Sequence, residues 1–178
     1  MPRLTTIAFL LAGAHAVAAG SDAGVAGAFR FDGIDGRPIV LGELAGRPVL
    51  VVNTASRCGF VDQFDGLQAL QDRYRAAGLT VVGVPSDSFR QELGANAAVK
   101  EFCEVNFAID FPIAAITDVT GEDAHPFYRW AAAQGVAPTW NFYKVLIDGS
   151  GRIAGAFPAT VEPESPELTG AIEAALAE

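Results

Sequence analysis

Two cysteines, Cys58 and Cys103, are the residues of this chain most able to act as nucleophiles or redox centres. Cys58 lies in Asn53-Thr54-Ala55-Ser56-Arg57-Cys58-Gly59-Phe60, between the apolar run Val49-Leu50-Val51-Val52 and a helical pattern. A thiol at the carboxyl end of a buried strand meets unpaired backbone N–H groups and the positive end of the following helix. Arg57 adds positive potential beside it. Each effect favours the thiolate, the form that attacks electrophiles. Placement alone leaves two alternatives open, a buried inert thiol and half of a structural disulfide. Cys103 shares a helical face with Val99 and Phe102, which turns its thiol toward the core. His125 precedes Pro126 at a helix start, where capping is a simpler role than acting as a base for Cys58. Asn53 is read more simply as a turn former than as a brace for the Cys58 loop. HExxH, P-loop and GxGxxG patterns are absent. One histidine beyond the leader and two separated cysteines do not compose a metal site, so neither metal nor cofactor is expected.

The elements that must position Cys58 follow from periodicity. Val49–Val52 is β-branched and continuous, as a strand buried on both faces requires. Phe64, Leu67, Leu70, Tyr74 and Ala77 recur at helical spacing, and Gly78 closes that helix. Leu79–Val84 is a second buried strand stopped by Pro85, which makes a right-handed βαβ unit. Upstream, Phe29–Val40 reads as a hairpin with turns at Asp32-Gly33 and Asp35-Gly36. Asn96 is expected to cap the helix of Cys103, and Asp123 the helix of Phe127 and Trp130. Phe142–Asp148 and Arg152–Phe157 flank Gly149-Ser150-Gly151 as a second hairpin. Ser165-Pro166-Glu167 opens a last helix with the stripe Leu168, Ile172, Ala175 and Leu176. The order βαβ, helix, ββα is that of an α/β thioredoxin-like fold, a central mixed β-sheet flanked by helices with an N-terminal β-hairpin.

The bulk properties exclude more than they select. The 178 residues suffice for one domain with a full core. Apolar residues make up 51% of the chain, too many for a disordered one. Two cysteines are too few for a disulfide scaffold or a four-ligand zinc site. The 21 acids against 12 bases give a net charge of −9, and two of the bases are Lys. Nucleic acid and anionic membrane are therefore not expected partners. The chain opens on Met1-Pro2-Arg3, followed by Leu4–Ala19 without a charged residue. A basic start, a short apolar run and small residues at Ala16-Val17-Ala18 describe an export signal over 1–18, removed to leave a periplasmic or secreted protein. Residues 19–28 are expected as a flexible leader, and 29–178 as the folded domain. Disulfides persist in that compartment.

The Cys58 loop also carries a family likeness. Asn53–Phe60 resembles the catalytic motif of the glutathione peroxidase family, in which Cys or selenocysteine fills the position of Cys58. In family order follow Gly83-Val84-Pro85, Glu101–Phe107, Phe111-Pro112, Gly121–Pro126 and Trp140-Asn141-Phe142. The likeness runs from Phe29 to Leu176 and is to the cysteine-containing, short-loop branch. It implies peroxide reduction, in which the Cys58 thiolate attacks a peroxide oxygen and becomes a sulfenic acid. It assigns the Trp140 indole N–H and the Asn141 amide as donors to the nucleophile. It places Cys103 as the resolving thiol, which would form a Cys58–Cys103 disulfide for a thioredoxin-like protein or glutathione to reduce. Closure needs the two Cα atoms within about 7 Å, so opening of the Cys103 helix is expected. A permanent disulfide is the competing reading.

One position departs from the family pattern. Pro85-Ser86-Asp87-Ser88-Phe89 stands where the family reads Pro-Cys-Asn-Gln-Phe. Ser88 occupies the Gln position with a side chain two carbons shorter, and Ser86 removes the family's other cysteine. Ser88, Asp87 and Gln91 remain candidates for the missing donor. Tetrameric members of the family carry a longer insertion before the Trp-Asn-Phe motif, so the resemblance implies a monomer or weak dimer with an open site. The alternative to a peroxidase is an exported redox sensor or a thiol–disulfide exchange or metallochaperone-like protein. Exchangers usually carry paired cysteines, and here Cys58-Gly59-Phe60-Val61 has no partner thiol.

Overall fold

The computed structural model describes residues 25–178. The expected signal over 1–18 and its cleavage point lie outside the described residues. A two-stranded hairpin comes first, β1 (Arg30–Phe31) antiparallel to β2 (Ile39–Val40). The main elements are β3 (Val49–Thr54), α1 (Gln63–Tyr74), β4 (Thr80–Pro85), α2 (Asn96–Phe107), α3 (Pro126–Ala132), β5 (Lys144–Ile147), β6 (Ile153–Phe157) and α4 (Pro166–Leu176). The four-stranded sheet has the order β4-β3-β5-β6. β3 and β4 are parallel, whereas β5 runs antiparallel to both β3 and β6. The mixed sheet and the hairpin are those expected from the sequence.

Alternation along the strands divides the core. Leu50, Val52, Val81 and Leu146 pack on one face with Leu67 and Leu70 of α1, Val99 and Cys103 of α2, and Leu168 and Ile172 of α4. Val49, Val51, Val82 and Val145 pack on the other with Phe127 and Tyr128 of α3 and Phe31 of the hairpin. Every residue of β3 is buried, which is why its sequence is continuously apolar up to Asn53. The carboxyl end of this strand therefore emerges between two helical layers, where open α/β sheets gather their sites.

Three local expectations are corrected. The N-cap of α2 is Ala95, and Asn96 instead accepts the Ile116 N–H with its Oδ1 at 2.8 Å. The cap of α3 is His125 rather than Asp123; its Nδ1 accepts the Phe127 N–H at 3.2 Å. The same ring stacks on Phe31 and reaches the Arg30 carbonyl at 3.0 Å through Nε2. Burial lowers the His125 pKa, partly offset by that carbonyl, and the imidazole joins hairpin to α3. The flexible leader read over 19–28 also ends earlier. Ala26 is buried and donates its N–H to the Gly151 carbonyl at 2.8 Å, so the packed chain has begun by Val25.

Gly78 ends the α1 region with φ +114, where an L side chain is strained. Its pro-Cβ direction meets only the Arg47 side chain, at 3.4 Å. Gly78→Ala is expected to destabilise the domain by about 1–2 kcal/mol from backbone strain, measured by urea denaturation. An unchanged midpoint would show that the turn relaxes without cost.

Candidate active site

Cys58 sits in the loop between β3 and α1 and is 3% exposed. The chain coils tightly after it. The Val61 N–H donates to the Cys58 carbonyl at 3.0 Å, and the Phe60 N–H points to Cys58 Sγ at 3.5 Å. The Phe60 amide, just before α1, is thus the backbone donor to the sulfur.

The connection between β4 and α2 clamps this loop from the side. The Arg57 N–H donates to the Gln91 carbonyl at 2.9 Å. The Ser56 N–H donates to Glu92 Oε1 at 3.0 Å, and the same oxygen accepts the Leu93 N–H at 2.7 Å. Glu92 is a buried carboxylate held by main-chain donors. Its role is not visible in sequence, where it reads as one more surface acid.

Asn53 is not a turn former. It lies inside β3, fully buried, and binds the Trp140–Tyr143 segment three times. Its N–H donates to the Tyr143 carbonyl, its carbonyl accepts the Phe142 N–H at 2.6 Å, and its Nδ2 donates to the Trp140 carbonyl at 3.1 Å. This pairing brings Trp140 and Asn141 to the strand end that carries Cys58. Asn141 is buried and donates through Nδ2 to Gln91 Oε1 at 2.9 Å, leaving its Oδ1 without a protein partner. Trp140 is 41% exposed, with its ring against Phe89 at a centroid separation of 5.3 Å. Among the described residues, neither Trp140 nor Asn141 donates to Cys58 Sγ; the donor there is the Phe60 amide.

Gln91, not Ser88, is the side chain joined to this group. The Ser88 Oγ accepts the Val119 N–H and the Ser86 hydroxyl, each at 3.0 Å, and is thereby tied to the loop after β4. Asp87 accepts the Glu92 N–H at 3.1 Å and shapes the same loop. Of the three candidates for the missing donor, Gln91 meets Asn141, whereas Ser88 and Asp87 bond within and beside the loop after β4.

Cys103 is fully buried on α2, in the same core cluster as Cys58, and both thiols are free. Burial, with smaller contributions from Glu92 and Glu104, pushes the Cys103 thiol up to about 12. A thiol so placed is inert while the helix is closed. The N-terminal end of α2 has no side-chain cap, whereas its C-terminal end is closed by the Ala108 and Ile109 N–H groups, which donate to the Glu104 and Cys103 carbonyls. Ala108 takes φ +48 there, a conformation disfavoured for any residue with a Cβ.

A further group was missed in sequence because it lies within an apolar strand pattern. Lys144 opens β5 and is fully buried, with its Nζ donating to Gln63, Phe142 and Val161. A lone Lys between Tyr143 and Val145 was the available signal. Among the described residues there is no group of three or more His, Cys, Asp or Glu able to hold a metal.

Comparison with known proteins now decides the family. The family model of glutathione peroxidase matches residues 28–132. The chain belongs to the glutathione peroxidase family. It is a thiol peroxidase with a thioredoxin-like fold. It is 36% identical over 157 residues to a hydroperoxy fatty acid reductase of Synechocystis sp., covering 82% of this chain and 92% of that protein. It is 38% identical over 149 residues to a glutathione peroxidase-like peroxiredoxin of Chlamydomonas reinhardtii, covering 79% and 92%. The crystal structure of T. cruzi GPX1 superposes with a TM-score of 0.68 at 30% identity, covering 86% of this chain and 97% of that one. A Chlorobium tepidum thiol:disulfide interchange protein shares the fold at 22% identity and a TM-score of 0.63, covering 83% and 92%.

The Cys103 geometry sets a pH dependence. Its folded pKa lies above the ordinary value of 9.0, so the neutral buried thiol stabilises the fold fully below pH about 9. That contribution is lost as pH rises toward about 12. The stability difference between wild type and Cys103→Ala, from urea denaturation, is expected to shrink steadily above pH about 9. A constant difference up to pH about 11 would contradict the burial of this thiol.

Proposed function

We propose that this peroxidase reduces hydrogen peroxide or organic hydroperoxides at Cys58. The observation that carries the reading is the gathering of Cys58, Asn141 and Gln91 at one strand end, with Trp140 beside them, around the start of α1. The Cys58 thiolate attacks one peroxide oxygen, the O–O bond breaks, and the displaced oxygen leaves as alcohol or water after taking a proton. Cys58 becomes a sulfenic acid. The unpartnered Asn141 Oδ1 accepts the hydroperoxide O–H. The Phe60 amide and the positive end of α1 stabilise the anionic sulfur. Trp140 and Phe89 present a partly exposed aromatic wall suited to apolar hydroperoxides, and the relative in Synechocystis sp. is named for hydroperoxy fatty acids.

Resolution falls to Cys103. Its thiol attacks the sulfenic sulfur, an S–S bond forms, and the Cys103 proton leaves with the hydroxyl as water. The buried position of Cys103 requires α2 to open first, and the absence of a side-chain cap at Ala95 favours opening from the N-terminal end. A dithiol protein of thioredoxin type then reduces the disulfide, and glutathione is the competing donor. Export through residues 1–18 and a monomeric or weakly dimeric state complete the proposal.

A steady-state assay with glutathione or thioredoxin as donor tests the cycle. Cys58→Ser is expected to lose all peroxide consumption above that of free thiols, and Cys103→Ser to lose the thioredoxin-supported rate. Wild-type turnover by Cys103→Ser with thioredoxin would remove the resolving role. Gln91→Ala is expected to slow Cys58 oxidation by about tenfold or more, while Ser88→Ala stays within about twofold. The reverse order would return the donor role to Ser88.

A further inference from the structure

Lys144 is one of two lysines in the chain. The other, Lys100, is partly exposed on α2 and paired with Glu104. Lys144 has no exposed surface and stands opposite Val52 of β3. No carboxylate of the described residues lies within ion-pair distance of it. A buried ammonium is costly unless its donors are satisfied, and here the three donors of Nζ meet three acceptors. They are Gln63 Oε1 at 2.7 Å, the Phe142 carbonyl at 3.0 Å and the Val161 carbonyl at 2.8 Å.

Each acceptor belongs to a different segment around Cys58. Gln63 is the first residue of α1, at the end of the Cys58 turn. Phe142 closes the Trp140-Asn141-Phe142 turn. Val161 lies in the connection from β6 to α4, and Gln63 reinforces that tie by donating to the Ala159 carbonyl at 2.6 Å. Phe142 has φ +62, a left-handed conformation disfavoured for a residue with a large side chain. Its N–H is held by Asn53 and its carbonyl by Lys144. The twist at Phe142 turns the chain out of β5 and brings Asn141 to Gln91. An apolar side chain would fill this place in the core as well for stability alone; the ammonium adds a fixed link between the two segments that carry the site.

We infer that Lys144 is a positioning residue for peroxide reduction, whose ammonium holds the start of α1 and the Trp140–Phe142 turn in register. The inference rests on Cys58 being the reacting thiol. The groups facing Lys144 are Gln63 of α1, Val52 of β3, the Phe142 and Val161 carbonyls, and Glu162 from the β6–α4 connection as its charged neighbour; the Cys58 thiol is on the loop before α1. Burial lowers the Lys144 pKa to about 8, against the opposing pull of Glu162. Above that pH the neutral amine has two N–H donors for three acceptors, so one link is released. Stability moves in the opposite sense. The folded pKa is below the ordinary 10.5, so the cost of the buried charge is present below about pH 8 and is relieved as pH rises toward 10.5.

The test is single-turnover oxidation of Cys58 by hydrogen peroxide across the pH range in which the far-ultraviolet spectrum is constant. Wild type, Lys144→Met and Cys58→Ser are compared. The wild-type rate is expected to fall several-fold on the alkaline side, as the Lys144 ammonium loses its proton around pH 8. Lys144→Met is expected to react roughly tenfold more slowly at neutral pH and to show no falling limb. A wild-type rate that stays level above pH 8, or a folded Lys144→Met with the wild-type rate and profile, overturns the inference. If Lys144→Met does not fold, Lys144→Gln takes its place and is read in the same way. A reaction equally fast in Cys58→Ser would sink the Cys58 reading and this inference with it, whereas a Cys58-dependent reaction with a level profile removes Lys144 only.

Discussion

The antiparallel pairing of β3 with β5 is the constraint on which the site depends. It ends at Asn53, whose main chain and side chain together hold Trp140, Phe142 and Tyr143. Without that pairing, Cys58 and the Trp140–Asn141 pair would belong to segments far apart in the chain. β3 is anchored by complete burial between two layers, so the Asn53 contacts inherit the rigidity of the sheet. Loops placed by a buried scaffold can hold reacting groups far more accurately than loops alone.

A second constraint is polar. Glu92, Lys144, Asn53, Gln63 and Asn141 are all buried within reach of the Cys58 loop. Glu92 and Lys144 are used as rigid connectors, and their hydrogen-bond partners are mainly backbone. Such partners are fixed by the fold and do not vary with side-chain rotamer, so the connections are short and directional. The second thiol is treated differently. Cys103 is packed among apolar side chains on α2, which holds its thiol neutral and buried. The two cysteines lie on separate elements, the β3–α1 loop and α2.

Much of this architecture was legible in the residues. The β-branched runs, the helical stripes, the Gly78 stop and the Ser165-Pro166 start all place elements where they occur. These are local signals, produced by burial and backbone preference over a few neighbours. Side-chain caps were less legible. Asn96 and Asp123 have the right residue types, but Asn96 finds a better partner in Ile116, and the His125 ring caps α3 while stacking on Phe31. In both cases a contact distant in sequence outweighed the local preference. The Ser88 position shows the same limit, since the path of the loop after β4 decides which of Ser88 and Gln91 meets Asn141.

By itself the sequence determined the fold class, the strand end that bears Cys58, and the ordered motifs that resemble one peroxidase family. These rest on periodicity and residue type, which act along the chain. Only the tertiary structure decided which groups meet. It gave Asn141 to Gln91, Ser56 to Glu92, and the Phe142 carbonyl to a buried Lys144. The physical reason is that hydrogen bonds between distant segments depend on sheet register and loop length, to an accuracy of a few tenths of an ångström. No pattern of residue types along the chain carries that information.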